Sequence, residues 1–308
     1  MNNKLVTVCV ITYNSSITIV ETLESIRDQS YPYIELIISD DCSTDNTRLI
    51  CQQWIRENES RFVCCKLLST STNKGISGNI NNAICHVSSQ WVKLIAGDDI
   101  LIQDCLEYYM NAIQQYPSIN VFLSKVQSFT TEKNGVKKMN PVPQCSEKIT
   151  RFNGLESQEQ CRFLLDEGGD MFSAPTLFVN SEVIRKYPYD ELYSYMEDYP
   201  QWVRLTDAGY KMMLFDYVTV LYRKATSISQ NKNAYYSKRL LETKNLYFWR
   251  EKIIFFRKYR CDKGYRDNMR YLLSIFLIEG ITGNRKTLIN SIIVRLIILF
   301  TKCLKFRL

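Results

Sequence analysis

Two pairs of neighbouring carboxylates are the residues best suited to chemistry in this 308-residue chain. Asp98-Asp99 follows the apolar run Trp91 to Ala96 and a single glycine, Gly97 (WVKLIAGDD). Adjacent carboxylates at the end of a buried strand repel each other, and taking them out of water is expensive without a cation. A divalent metal relieves both problems. Oxygen-only ligation favours Mn²⁺ or Mg²⁺, which keep waters and take further ligands from a diphosphate. The same pair could instead be a helix N-cap and its solvated neighbour.

Glu197-Asp198 lies in YSYMEDYPQWVRL. The flanking Tyr195, Tyr199 and Trp202 would make partly apolar surroundings, which favour a raised pKa and service as a base. A helix N-terminal carboxylate held by the macrodipole would read the same way. Asp41, in Asp40-Asp41, could accept hydrogen bonds from a ribose or the imide N–H of a base, or cap the next helix. Tyr13 offers a ring for a base to pack on, or is a turn residue. His86 reads as a surface helix residue. Gly168-Gly169 lacks a following Lys-Ser/Thr, and no GxGxxG occurs.

Groups so far apart must be gathered by a scaffold, and the N-terminal third alternates strand and helix patterns. Leu5 to Ile11, Ile34 to Ser39, Phe62 to Leu68 and Trp91 to Ala96 read as strands, the first a continuous β-branched run of the kind buried on both faces. Between them fall helical patterns: Ile19, Leu23 and Ile26 at helical spacing, a helix to about Glu57 capped by Ser43 or Thr44, and one following Gly75 and Gly78. This alternation predicts an α/β fold with a parallel, doubly wound sheet. Ligands of such sheets sit outside the carboxyl ends of the strands. Tyr13, Asp41 and Asp98-Asp99 all fall just past those ends, so topology alone brings them to one crevice. Further on, a strand is expected at Val121 to Leu123, a hairpin turning at Gly135, a strand at Thr176 to Val179, a helix through Trp202 and Leu205, and a strand at Met212 to Leu221.

The charge is uneven. Residues 1–230 carry 21 basic and 27 acidic side chains, whereas residues 231–308 carry 18 and 5. An acidic body and a basic tail meet different partners. The tail reads as helical, with Tyr235 to Tyr259 as one long helix. On Thr287 to Leu308, Thr287, Ser291, Arg295, Lys302 and Lys305 gather on one side. Leu288, Ile289, Ile292, Ile293, Leu296, Leu299, Phe300 and Cys303 take most of the other. A basic amphipathic helix of this kind lies in an anionic membrane interface, or docks on protein. Arg295 argues against a span, and no run reaches the ~18 uncharged apolar residues one needs. The 11 cysteines include no CxxC pair and meet a single histidine, so they read as buried free thiols rather than a zinc site or a disulfide framework. The apolar run near the N-terminus is too short for a signal peptide. The expectation is a cytoplasmic protein, peripheral on the inner face of the plasma membrane. Nucleic acid is not expected, because the positive charge rides on an aliphatic helix rather than among exposed aromatics.

Taken in order, VCVITYN, ETLESIRDQSYPYIELIISDDCSTDNT, NKGISGNINNAI, KLIAGDDIL and MEDYPQWVRL resemble the inverting family 2 glycosyltransferases of GT-A fold, over roughly residues 4–225. The resemblance implies a Rossmann-like, mostly parallel sheet flanked by helices. Residues 1–230 would form the transferase domain, with 1–120 the nucleotide-sugar half and 121–230 the acceptor half. Residues 231–308 would form a helical, basic, membrane-associating extension.

By the same likeness Thr12, Tyr13 and Asp41 would hold the uracil end of a UDP-sugar, with Asn73, Gly75 and Asn81 in the loop and helix beneath the donor. Asp98 would lie near the ribose and Asp99 on the metal, Mn²⁺ or Mg²⁺. Asp198, beside Glu197, would be the general base. The likeness to bacterial O-antigen hexosyltransferases implies a single transfer from UDP-glucose, or next UDP-galactose. The acceptor would be a lipid-linked saccharide such as GlcNAc-diphosphate-undecaprenol, and the product a β-linkage.

The chain departs from the pattern in three places. Ile11 stands where many relatives have Pro, and Lys224-Ala225 follows Tyr222-Arg223 where many place a metal-binding His. The QxxRW element of processive synthases is missing. Two other readings make different demands. A sugar-nucleotide pyrophosphorylase needs a Gly-rich basic loop after the first strand, which is absent. A non-catalytic scaffold binding nucleotide-sugar or lipid has no need of both acidic pairs.

Overall fold

The alternating patterns of the N-terminal third become strands and helices, with the first two strands buried on both faces and the third part-exposed at the sheet edge. In chain order they are β1 (Val6–Thr12), α1 (Ile19–Arg27), β2 (Ile34–Asp40), α2 (Thr47–Asn58), β3 (Cys64–Ser69), α3 (Gly75–Ile84) and β4 (Trp91–Ala96). This is seen in a computed structural model that describes residues 4–132, 135–193, 195–224, 234–304 and 306. Every residue of β2 is buried, and all of β1 but Ile11. With helices on both faces, a strand has no solvent side to alternate toward. The α1 helix turns Ile19, Leu23 and Ile26 into the core, as their spacing predicts. Ser43 and Thr44 do not cap α2. They tie instead to Asn14 across the crevice edge, the Asn14 N–H donating to Ser43 Oγ and the Thr44 N–H to Asn14 Oδ1.

The chain continues through β5 (Ile100–Leu101), α4 (Cys105–Gln115), β6 (Val121–Thr131), β7 (Lys137–Met139), α5 (Ser146–Asn153) and α6 (Ser157–Glu167). Then come β8 (Phe178–Asn180), α7 (Ser181–Lys186), α8 (Asp198–Asp207) and β9 (Met212–Arg223). The strands form one sheet in the order β3-β2-β1-β4-β8-β6-β9-β5, with β7 paired to β6. The sheet is mixed rather than purely parallel. The short β8 pairs antiparallel with both β4 and β6, while β6 and β9 are parallel. Two reversals cancel, so β3, β2, β1, β4, β6 and β9 all point the same way, and only β5, β7 and β8 oppose them. The expected strand at Thr176 starts late because Ala174–Thr176 is a 3₁₀ turn, entered through Pro175, which has no N–H for a sheet ladder.

Contacts divide the chain into two units, residues 1–160 with 170–225, and residues 161–169 with 226–308. The second contains the end of α6, α9 (Lys238–Tyr247), α10 (Ile253–Tyr259), α11 (Asp262–Thr282) and α12 (Leu288–Cys303). The single helix expected over Tyr235 to Tyr259 begins at Lys238 and is broken by a π turn at Phe248–Lys252. Its cause is packing. In an uninterrupted α-helix the buried Phe248 and Phe256 would point about 80° apart, and the extra residue of a π turn brings them nearer one face.

The tail helix uses two apolar stripes. Val294 and Ile297 are buried against Ile278 of α11, while Ile289, Ile292, Leu296, Leu299 and Phe300 stay exposed. Docking and exposure are therefore properties of different sides of α12. Lys305 of the expected basic stripe lies outside the described residues. No helix among the described residues is long and apolar enough to cross a membrane. All 11 cysteines are free, but only Cys9, Cys51, Cys105, Cys161 and Cys261 are buried. Cys64, Cys85 and Cys303 are exposed, Cys85 because it falls just past the last turn of α3.

Within the second unit, Gly264 is a point of close approach. A Cβ there would stand 2.2 Å from the Leu165 carbonyl oxygen and 2.8 Å from the Phe256 ring. Gly264→Ala should therefore cost about 1–3 kcal/mol, seen in denaturant titration followed by circular dichroism. Wild-type stability in that variant would show the approach to be slack.

Candidate active site

Because six strands share a direction, their carboxyl ends line one edge of the sheet, and the polar residues gather there. The Asp41 N–H donates to the Thr12 carbonyl and the Gly97 N–H to that of Ile11, each at 2.9 Å. Thr12 is buried and lies against Gly97, whose added Cβ would sit 2.9 Å from Thr12 Oγ1 and 3.0 Å from Ile19 Cδ1. Only glycine lets the end of β4 come this close to β1. Tyr13, the next residue, is exposed at the rim.

Asp41 is buried, and both its oxygens hold the loop that follows β3. Oδ1 accepts from the Lys74 N–H and Oδ2 from the Gly75 N–H, each at 2.8 Å. Asn73 accepts from the same Gly75 N–H at 3.0 Å, and Gly75 has a φ of +74° that favours glycine. Asp41, Asn73 and Gly75 are thus one hydrogen-bonded unit in which the carboxylate shapes the loop. Asn79 then pins α3 to the end of β2, its Nδ2 donating to the Ser39 carbonyl at 2.9 Å.

Asp99 is buried and Asp98 half-buried at the end of β4. Burial first, and then the neighbouring Asp98 charge, pushes the Asp99 carboxyl up to about 8. Burial raises Asp98 as well, against the pull of Arg223. The partial compensation comes from Arg223, at the end of β9. Its N–H donates to Asp99 Oδ1 and its Nε to the Asp98 carbonyl, both at 2.9 Å. The guanidinium also pairs with Glu21 of α1 and lies 4.6 Å from the Phe129 ring centroid. A second cation, Lys93, is wholly buried within β4 and donates to the carbonyls of Leu94 and Pro175.

Glu197 and Asp198 form the N-terminus of α8, so the helix-terminus reading of this pair is correct as to place. Pro200 fits this first turn, where no backbone N–H is needed. The field of the helix would lower both acids, yet burial raises both, and for Glu197 the Asp198 charge adds to it. Tyr222 joins the two acidic pairs. Its hydroxyl is raised by burial and then by the charges of Asp99, Asp98 and Asp198, so one phenol feels both carboxylate pairs.

The strap leading into α8 is fixed from a distance. Asn81 Nδ2 donates to the Tyr189 carbonyl at 2.9 Å, and the Tyr189 N–H donates back to Asn81 Oδ1 at 3.0 Å. Tyr189 is buried beside Glu197 and Asp198, whose charges help to raise its hydroxyl. Asn81 thus supports the acidic strap from α3. Arg223, Glu21, Tyr222 and Lys93 were not singled out by sequence reasoning. A cationic end to the last strand, Arg223-Lys224, is the one signal that could have pointed to Arg223.

A glycosyl transferase family 2 model matches residues 7–183, more than half of the chain. The chain belongs to the family 2 glycosyltransferases. It is similar to the putative glycosyltransferase EpsE of Bacillus subtilis (strain 168), with 33% identity over 104 residues, 34% of this chain and 36% of that protein. It is also similar to WfgD of Escherichia coli, a UDP-Glc:alpha-D-GlcNAc-diphosphoundecaprenol beta-1,3-glucosyltransferase, with 34% identity over 107 residues, 35% of this chain and 40% of that protein. The matched segments span only 36–40% of such curated relatives. Among solved structures, S. aureus TarS 1–349 in complex with UDP-GlcNAc shares the fold at a TM-score of 0.56 and 19% identity, over 90% of this chain and 81% of that one. The mixed α/β sheet with C-terminal helices is consistent with a GT-A-like arrangement.

No group of three or more His, Cys, Asp or Glu among the described residues could by itself hold a metal. Asp98 and Asp99 nonetheless suit a hard cation that keeps waters and shares a diphosphate, since their oxygens are hard donors and their repulsion is only partly offset. One consequence needs no ligand. An acid raised in the folded state binds its proton more tightly there than when unfolded, so stability falls as pH rises from the ordinary carboxylate range through about 8. Asp99→Asn should raise the melting temperature of chelator-treated protein at pH 8, with the gain fading near pH 4. An equal shift at both pH values would remove charge repulsion as its cause.

Proposed function

We propose that this chain transfers one hexose from a UDP-sugar to a hydroxyl of a lipid-linked saccharide, inverting the anomeric centre. The observation that carries the reading is the gathering of both acidic pairs near the end of the last strand, where the Arg223 N–H binds Asp99 and where burial and then the charges of Asp99, Asp98 and Asp198 raise the Tyr222 hydroxyl. A leaving diphosphate and an acceptor hydroxyl require two such acidic centres within one sugar's reach. Asp99, with Asp98 beside it, would hold Mn²⁺ or Mg²⁺, which when bound neutralises charge on the departing diphosphate.

The protein groups divide the remaining work. Tyr13 offers its exposed ring to the uracil, next to Thr12. Asp41, with Asn73 and Gly75, holds the loop bordering the donor, and Asp98 faces the ribose. Asp198 accepts the proton of the acceptor hydroxyl as that oxygen forms its bond to C1 and the C1–O bond to the diphosphate breaks from the opposite face. Glu197, raised by burial and by the same neighbour, keeps the pair from holding two full charges. Inversion of an α-linked donor gives a β-glycoside. UDP-glucose and a GlcNAc-diphosphate-undecaprenol acceptor are favoured by the likeness to WfgD. A single transfer is favoured because the QxxRW element is missing.

The acceptor's lipid also suits the second unit. We assign the exposed apolar stripe of α12, flanked by the exposed Arg295 and Lys302, to an anionic membrane surface.

In assays with UDP-glucose and a synthetic GlcNAc-diphosphate-lipid, Asp99→Ala and Asp198→Asn should each lose at least about a hundredfold in kcat/KM. By calorimetry, Asp99→Ala should weaken UDP-sugar binding while Asp198→Asn leaves it near wild type. Unimpaired turnover in either variant would defeat the assignment. Deleting residues 286–308 should lower sedimentation with anionic vesicles while the α/β unit stays folded. Undiminished sedimentation would place the membrane contact elsewhere.

A further inference from the structure

We infer that the second unit carries another lipid-facing surface besides α12, centred on Trp249 at the π turn between α9 and α10. The inference rests on the membrane association proposed above and names a different contact for it. Trp249 is 61% exposed, as is Ile254, and Leu246 is 42% exposed. Trp54, Trp91 and Trp202 are 5%, 4% and 3% exposed, so a single indole of the chain faces outward.

The ring is presented rather than left over. It meets Phe248 edge-on at 4.8 Å, and Phe248 is buried against Phe256 and Tyr265. The π turn that carries Phe248 toward Phe256 therefore also sets Trp249 on a firm aromatic base. Arg250, Arg257 and Lys258 are exposed in the same segment, against the exposed Glu242 and half-buried Glu251. An outward indole with aliphatic neighbours and surrounding cations matches the headgroup region of an anionic bilayer, where one end of the ring stays apolar and the N–H stays wet. The excess of 18 basic over 5 acidic residues after position 230 supplies the attraction.

The other three indoles are buried away from any lipid, so a lipid-induced change in the emission of the full-length protein reports Trp249. Vesicles of equal parts phosphatidylcholine and phosphatidylglycerol should shift that emission to the blue, and pure phosphatidylcholine vesicles should do so much less. Trp249→Ala should abolish the shift and lower the vesicle partition coefficient at least about tenfold, as the loss of one buried aromatic predicts, while circular dichroism stays native. Vesicle binding without an emission shift, or unchanged partitioning of the variant, would overturn this surface and leave the α12 contact standing. A blue shift that grows with protein concentration in the absence of lipid would overturn it in favour of a second copy of the chain. Failure of the wild-type protein to bind anionic vesicles at all would remove both readings together.

Discussion

Two carboxylates on successive residues, taken out of water at the end of a central strand, are the constraint around which this edge of the molecule is arranged. Their repulsion cannot relax by rotation, because the Asp99 side chain is buried and one of its oxygens is already bound by the Arg223 backbone. The Arg223 guanidinium offsets part of the charge, but it is shared with Glu21, which also takes Lys137. The result is an acidic centre with its proton affinity raised and its compensation incomplete. Such residual charge costs stability in the isolated chain and would favour a cationic ligand. Functional sites and structural ion pairs differ in this respect, since a structural pair would have been neutralised.

The strand directions explain why distant residues share that centre. Thr12, Asp41, Asp98-Asp99 and Tyr222-Arg223 come from strands that all end at one edge. A single antiparallel insertion, β8, restores that direction for β6 and β9. Without the second reversal, the end of β9 would fall at the opposite edge and Asp99 would have no arginine. The choice of glycine at position 97 belongs to the same arrangement, because a side chain there would push β4 away from Thr12 and α1.

The parts of this design that depend on neighbours in sequence were legible. Buried strands show as β-branched runs, α1 as a 3.6-residue period, and both acidic pairs as adjacent charges placed against apolar segments. The parts that depend on contacts across the chain were not. The pairing of Asn81 with Tyr189 joins residues 108 positions apart, and an Asn in a helix carries no mark of the backbone it will imitate. Lys93 reads as a charge that interrupts a strand, yet it is buried because two carbonyls accept from it. The π turn follows from the packing of Phe248 and Phe256, which periodicity alone does not disclose. On α12 the apolar residues were assigned to one broad face, but Val294 and Ile297 form a second stripe that docks against α11.

The position of Glu197-Asp198 shows how two opposed fields can tune an acid. Backbone N–H groups at the start of α8 favour the charged form of both residues, and the Tyr199 N–H donates directly to Asp198 at 2.8 Å. Burial disfavours it, and burial prevails for both. Had the helix terminus prevailed, the pair would bind protons too weakly to serve as a base. Had burial acted on a lone carboxylate far from any helix end, it would stay protonated and have no room for another. Charge shared between neighbours gives the pair two coupled titrations, so one member can be ionised while the other is not. The helix start supplies Asp198 with the Tyr199 N–H, which favours its charged form.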